Sequence, residues 1–267
     1  MTQKNIEKNI QKLSTHGKAL YLAQDQGLEH FAPEELTGES SNPDYIFNIA
    51  EKGEIDAFIC QKGLAEKYGD SYKVAKILKV NGKTLLGPKK DPYSPVICSV
   101  RKAVELNAKA IGFTLFPGSE YFDKQVEDFR QIQEEAHDYD LPVTAWMYPR
   151  GSTIKSDTDA GLLQECARDG LELGADMLKM KYNGNIDDMR KQVHFGGRAK
   201  MLMAGGPKAS STKDFLKQVE EVDKAGAFGF AIGRNIWLHE KPIAVTKAIR
   251  DVQIHGKDIY SALKRLE

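Results

Sequence analysis

The apolar run MLKMK at 177–181 carries two lysines, Lys179 and Lys181, one residue apart. If the run is a strand, alternation puts both on one face, with Leu178 and Met180 on the other. Burying an ammonium is costly unless it is paired or gives up its proton. Burial and a second positive charge both depress a lysine pKa, and the free amine is then a nucleophile able to form a Schiff base with a carbonyl. The alternative is that one or both lysines extend to the rim and only bind phosphate. A second group, WMYPRG at 146–151, places Trp146 and Tyr148 on one face, with Arg150 beyond them. A phenol there can give and take a proton, or it can be a packed aromatic with a satisfied hydroxyl. Arg150 suits a phosphate clamp or a rim cap. Asp25, in DQG, reads as a base, a ligand for a sugar hydroxyl or a local backbone cap. Two glycine-bearing turns, Ala204-Gly205-Gly206-Pro207-Lys208 and Gly233-Arg234-Asn235, allow backbone amides to approach an anion closely.

These residues are useful only if the chain brings them together. Strands are expected at 19–25, 57–61, 77–80, 111–116, 143–148, 177–181, 201–205 and 229–232. Helical patterns lie between most of them, clearest over 123–137, 159–173 and 212–225. This alternation implies βαβ units and a parallel sheet, and eight repeats favour an α/β fold closed as a single-domain (β/α)8 TIM barrel over 1–267. The steps Asn107-Ala108, Gly174-Ala175 and Gly226-Ala227 fit left-handed residues ending helices before the next strand. Residues 1–17 read as an N-terminal outer helix over the barrel floor, and 81–97 as a long excursion after the third strand. In such a barrel the polar residues at strand C-termini meet at one mouth, and the turns after strands seven and eight commonly hold phosphate. Lys79, in the third strand, also points inward; the simpler role for it is a charge partner to an inward acid rather than the nucleophile.

Composition excludes several classes. Lysine plus arginine and aspartate plus glutamate both total 38, and the absence of a basic excess argues against a nucleic-acid partner. Three scattered cysteines read as reduced thiols of a cytoplasmic protein. No stretch approaches the roughly 18 apolar residues of a membrane span, and the polar start has no apolar signal core. His16, His30, His137, His194, His239 and His255 are scattered without ligand spacing, so no metal site is expected, and His30 reads first as a turn or sugar-contact residue. No P-loop or dinucleotide fingerprint is present, and no cofactor is implied.

The motifs DQGLEH (25–30), LKVNGKT (78–84), WMYPRG (146–151), LGADMLKMKYNG (173–184), AGGPK (204–208) and AIGRN (231–235) occur in this order. Together they resemble the archaeal-type class I fructose-bisphosphate aldolases. The resemblance implies a metal-independent lyase that reversibly cleaves fructose 1,6-bisphosphate to dihydroxyacetone phosphate and glyceraldehyde 3-phosphate, in glycolysis and gluconeogenesis. It also implies phosphorylated ketoses and trioses as partners and a large homo-oligomer, a decamer in many members. By the same resemblance Lys179 forms the Schiff base, Tyr148 donates the proton and Asp25 is the strand-one acid. Trp146 and Arg150 line the sugar, Lys181 contacts substrate, and Ala204, Gly205, Gly206, Gly233 and Arg234 cradle phosphate. Gln26 and His30 fall at substrate-binding positions. Three positions depart from the common pattern: Gln26 replaces a histidine, Asn183 a threonine and Ala204 a serine. Alternatives are a related Schiff-base aldolase or transaldolase on another ketose phosphate, and a non-catalytic phosphosugar-binding barrel.

Overall fold

Strand β1 (Ala19–Ala23) pairs in parallel with β2 (Ala57–Gln61) on one side and β8 (Gly229–Ile232) on the other. Between these, β3 (Lys76–Lys79), β4 (Ala108–Leu115), β5 (Val143–Met147), β6 (Met177–Met180) and β7 (Lys200–Ala204) follow in chain order, closing an eight-stranded parallel barrel. The structure, a computed structural model, describes residues 3–29, 36–86 and 90–267. Helix α1 (Gln3–Gln11) precedes the barrel. After β1 come α2 (Gln26–Glu29) and α3 (Pro43–Lys52), after β2 α4 (Lys62–Tyr68), and after β3 α5 (Val100–Glu105). Then follow α6 (Phe122–Asp138), α7 (Ala160–Glu172), α8 (Ile186–Phe195) and α9 (Thr212–Lys224), one after each of β4 to β7. After β8 the chain adds α10 (Arg234–Trp237), α11 (Pro242–Gln253) and α12 (Ile259–Leu263).

Period-two alternation sorts the apolar side chains into two cores. Leu20, Leu22, Phe58, Leu78, Phe113, Met147, Leu178 and Met180 face the helices. Tyr21, Ile59, Ile77, Trp146, Met177 and Leu202 fill the barrel interior. Ile6, Ile10 and Leu13 join the interior cluster, so α1 closes the N-terminal end of the barrel. The helix expected over 1–17 is therefore shorter than expected. It ends at Gln11, and Thr15 pairs with Lys18 across a turn in which His16 (φ 51°) and Gly17 (φ 75°) are left-handed. Asn107 (φ 57°), Gly174 (φ 89°) and Gly226 (φ 93°) have the left-handed conformation expected of helix-ending residues.

The strand expected over 19–25 stops at Ala23, because the chain turns into α2 at Gln26; Asp25 lies in the turn. The excursion after β3 is held at its start by the buried side chain of Asn81. Asn81 Oδ1 accepts the Thr114 N–H at 2.8 Å, and its Nδ2 donates to the carbonyls of Thr114 at 2.8 Å and Ser94 at 3.1 Å. These bonds tie the segment to β4 at the mouth. No helix among the described residues is long and apolar enough to cross a membrane.

Candidate active site

Lys179 lies on the inward face of β6, paired in register with Trp146 of β5 and Leu202 of β7. It is 5% exposed, and its ammonium is 4.7 Å from the centroid of the Trp146 ring and 3.9 Å from Asp25 Oδ2. The Trp146 indole N–H donates to the same Asp25 oxygen at 3.0 Å. The carboxylate is thus oriented by the indole while it faces the amine. A glycine in β4 makes this possible: a Cβ on Gly112 would fall 2.4 Å from the Trp146 ring.

A second buried ion pair lies beside the first. Lys79, on β3, pairs with Glu29 of α2, donates to the Asn81 carbonyl at 3.2 Å and stands 5.8 Å from the Trp146 centroid. Lys79 is thus the charge partner of an inward acid, the role its sequence position favoured. Burial raises the Glu29 carboxyl above its ordinary pKa, opposed by the Lys79 charge. Burial lowers Lys179; Asp25 pulls the other way, and the positive charge of Lys79 reinforces the fall. The sequence pointed to Lys181 as the second charge. Lys181 instead reaches the rim, where it pairs with Asp157 from the β5–α7 loop. Tyr148 is held well above its ordinary pKa by burial and by Asp25, against the opposing charges of Arg150 and Arg234, so its phenol stays protonated.

These groups open onto one cavity of about 510 Å³ at the C-terminal mouth of the barrel. Its floor carries Asp25, Tyr148 and Lys179; Arg150 and Lys181 stand on the β5–β6 side. Ala204, Gly205 and Gly206 from the turn after β7, with Gly233 and Arg234 after β8, form the other wall. Gly205 packs so tightly on β8 that a Cβ would lie 3.0 Å from the Ile232 Cα, and Gly206 is left-handed at φ 65°. The Arg150 guanidinium sits 5.5 Å from the Phe116 ring and 5.8 Å from that of Tyr148.

Of the residues singled out in the sequence, Trp146 does not line the cavity. The space left by Gly112 draws the indole fully into the barrel, where it supports Asp25 and Lys179 from behind. His30 and the side chain of Gln26 lie outside the described residues. Four contributors were missed. Glu29 stands in the DQGLEH motif, where its buried partner gives no sequence signal. Asp157 and Thr158 come from a polar loop of ordinary composition. Asn235 ends the AIGRN motif, and only the folded turn shows what its amide holds.

A parallel eight-stranded barrel whose mouth cavity is lined by a buried, pKa-lowered lysine together with the glycine turns after β7 and β8 defines the architecture of a Schiff-base barrel enzyme. Residues 19–239 match the DeoC/LacD family aldolase pattern. The class 1 fructose-bisphosphate aldolase of Thermoproteus tenax is 39% identical over 96% of this chain and 97% of its own. An archaeal fructose-1,6-bisphosphate aldolase solved with its catalytic lysine covalently bound to the carbinolamine intermediate superimposes with a TM-score of 0.89 at 39% identity, covering 93% of this chain and 98% of that one. The fructose-bisphosphate aldolase of Slackia heliotrinireducens gives the same TM-score at 28% identity, covering 98% and 90%. The chain belongs to the DeoC/LacD aldolase family, within its archaeal-type class I fructose-bisphosphate aldolases.

Proposed function

We propose that this protein is a class I aldolase that reversibly cleaves fructose 1,6-bisphosphate to dihydroxyacetone phosphate and glyceraldehyde 3-phosphate. The observation that carries the reading is the buried Lys179 amine, lowered in pKa, on the floor of a cavity walled by the β7 and β8 glycine turns. One phosphate of the open-chain ketose docks on Gly205, Gly206, Gly233 and Arg234, and the distal phosphate faces Arg150 and Lys181.

Neutral Lys179 adds to the C2 carbonyl to give a carbinolamine. Tyr148 supplies the proton with which the hydroxyl leaves as water, forming the iminium. A base, Asp25 or the Tyr148 phenolate just formed, takes the C4 hydroxyl proton. The C3–C4 bond then breaks, its electron pair moves into the iminium, and glyceraldehyde 3-phosphate departs. The remaining enamine takes a proton at C3, and water hydrolyses the resulting iminium to dihydroxyacetone phosphate and free Lys179. The Asp25 carboxylate, oriented by the Trp146 N–H, lies 3.9 Å from the Lys179 amine, where it stabilises the developing iminium cation.

The same reading makes the protein a cytoplasmic homo-oligomer of glycolysis and gluconeogenesis; the buried free thiols Cys60, Cys98 and Cys166 suit a reducing compartment. The test is borohydride reduction of the protein with dihydroxyacetone phosphate, followed by peptide mapping. A single adduct on Lys179 is expected, and a label on Lys181 or Lys79 overturns the assignment. A second reading rests on one relative. The Methanocaldococcus jannaschii protein, 35% identical over 97% of this chain, is named both fructose-bisphosphate aldolase and 6-deoxy-5-ketofructose 1-phosphate synthase. Turnover of other ketose phosphates, compared with fructose 1,6-bisphosphate, separates the two.

A further inference from the structure

Asn235 is buried at the start of α10, one residue past Arg234, and both ends of its amide are engaged. Its Nδ2 donates to the Gly205 carbonyl at 2.8 Å and to the Pro207 carbonyl at 2.9 Å. Its Oδ1 accepts the Ala209 N–H at 2.8 Å. One side chain from the turn after β8 therefore holds three backbone groups of the turn after β7. In a trans peptide the N–H points opposite to the preceding carbonyl, and the described peptide bonds include no cis bond. With the Gly205 carbonyl captured by Asn235, the Gly206 N–H is directed away from Asn235. Gly205, Gly206 and Pro207 all line the cavity, next to Gly233 and Arg234.

We propose that Asn235 is a positioning residue for phosphate: it locks the β7 turn against the β8 turn so that the Gly206 N–H faces the cavity, and it thereby sets affinity for the phosphate-bearing end of the substrate. The proposal rests on the aldolase reading above and deepens it. Asn235 does not touch the ligand; it acts through the turn. A side chain with two N–H donors and one acceptor is what these three backbone groups require. Aspartate keeps the acceptor for Ala209 but offers no donor, and it sets a carboxylate against two carbonyl oxygens. Alanine removes all three bonds.

The experiment compares wild type with Asn235→Ala and Asn235→Asp, each checked for folding by circular dichroism. Affinity for inorganic phosphate is measured by calorimetry. Borohydride adducts on Lys179 are measured with dihydroxyacetone phosphate and with phosphate-free dihydroxyacetone. A misdirected donor to a charged oxygen is expected to weaken affinity for phosphate and for dihydroxyacetone phosphate about 10- to 100-fold. Adduct yield with dihydroxyacetone stays at the wild-type level, and fructose 1,6-bisphosphate cleavage shows a raised KM with kcat within a few-fold of wild type. Unchanged phosphate affinity in a folded variant overturns the proposal, as does an equal loss with dihydroxyacetone. If the alanine variant does not fold, the aspartate variant, which retains the Ala209 bond, decides. Wild-type protein that gives no adduct with either ketone overturns the aldolase reading itself, and the phosphate titration still decides the role of Asn235.

Discussion

At Lys179, what chemistry requires and what folding favours are opposed. The barrel interior disfavours the ammonium, so the folded-state pKa lies below that of the unfolded chain. The resulting stability penalty is complete below the folded pKa and disappears as pH rises past the ordinary lysine value. Lys179→Met is therefore expected to abolish the borohydride adduct while raising the melting temperature. The gain is largest at neutral pH and shrinks toward zero near pH 10 to 11, within about a unit of the ordinary lysine pKa. Thermal melts of both proteins across this range check it, and a lower melting temperature for the variant at pH 7 would contradict it. The replacement leaves Asp25 anchored by the Trp146 N–H, so the carboxylate does not lose every partner. Tyr148 differs, because burial and Asp25 keep its phenol protonated and so suited to donate. Tyr148→Phe should lower kcat by roughly 10²–10⁴. Borohydride reduces the iminium, and the dehydration that forms it draws its proton from Tyr148, so trapping with dihydroxyacetone phosphate on Lys179 should slow in this variant but persist, with water supplying the proton. Single-turnover borohydride experiments separate the two effects.

Elements account for what the sequence revealed and what it concealed. Eight strands and the three clearest helices were legible because buried parallel strands and amphipathic helices impose periods that survive any detail of packing. The inward direction of Lys179, Trp146 and Tyr148 followed from alternation alone. The depth at which each side chain sits did not, because depth depends on neighbouring strands: Gly112 on β4 decides where Trp146 goes, and Asp157 from a distant loop draws Lys181 to the rim. The Glu29–Lys79 pair was hidden for the same reason, since it joins α2 to β3 across fifty residues of chain. That pair ties the first loop to the C-terminal end of β3 and sets a positive charge, with a weaker opposing negative one, beside Lys179. Lys79→Met alone leaves a buried carboxylate without its partner and should cost about 3–5 kcal/mol, with most of the loss recovered in the double variant Glu29→Gln/Lys79→Met. Removing the Lys79 charge also lets the Lys179 pKa rise, and removing Glu29, which acts more weakly in the opposite sense, offsets part of that rise. The ascending limb of the pH–rate profile, which reports the free amine, should then move to higher pH in the double variant. Urea titration reads the first effect and kcat/KM against pH the second.

The molecule as a whole depends on closure between its first and last strands, because a parallel barrel has no edge only while β1 and β8 remain paired. Two features hold this seam. From α11, Arg250 pairs with Asp56 at 3.0 Å and Gln253 donates to the Ala19 carbonyl at 3.1 Å, fastening the last long helix to the start of β1 and β2. At the seam itself Gly229 lies opposite Ala19, and a Cβ there would be 2.0 Å from the Ala19 carbonyl oxygen and 2.8 Å from its carbonyl carbon. Both contacts are with backbone, so no side-chain rotation relieves them. Gly229→Ala must separate the two strands, and a loss of about 3 kcal/mol or more is expected, at the upper end of overpacking costs. The same displacement shifts β8 and its Gly233–Arg234 turn relative to the β7 turn, so KM for a phosphorylated substrate should rise even in the fraction that folds. A control isolates sterics from composition. Gly63 lies in α4, is exposed, and has open space where a Cβ would stand. Gly63→Ala should therefore stabilise by a few tenths of a kcal/mol up to about 1 kcal/mol, since a helical glycine carries an entropic cost that alanine lacks. Urea midpoints of the two variants should move in opposite directions at nearly constant m-value. A Gly229→Ala midpoint equal to wild type would mean that the barrel absorbs a backbone clash at its closing strand pair, and the seam would then not be where its stability resides.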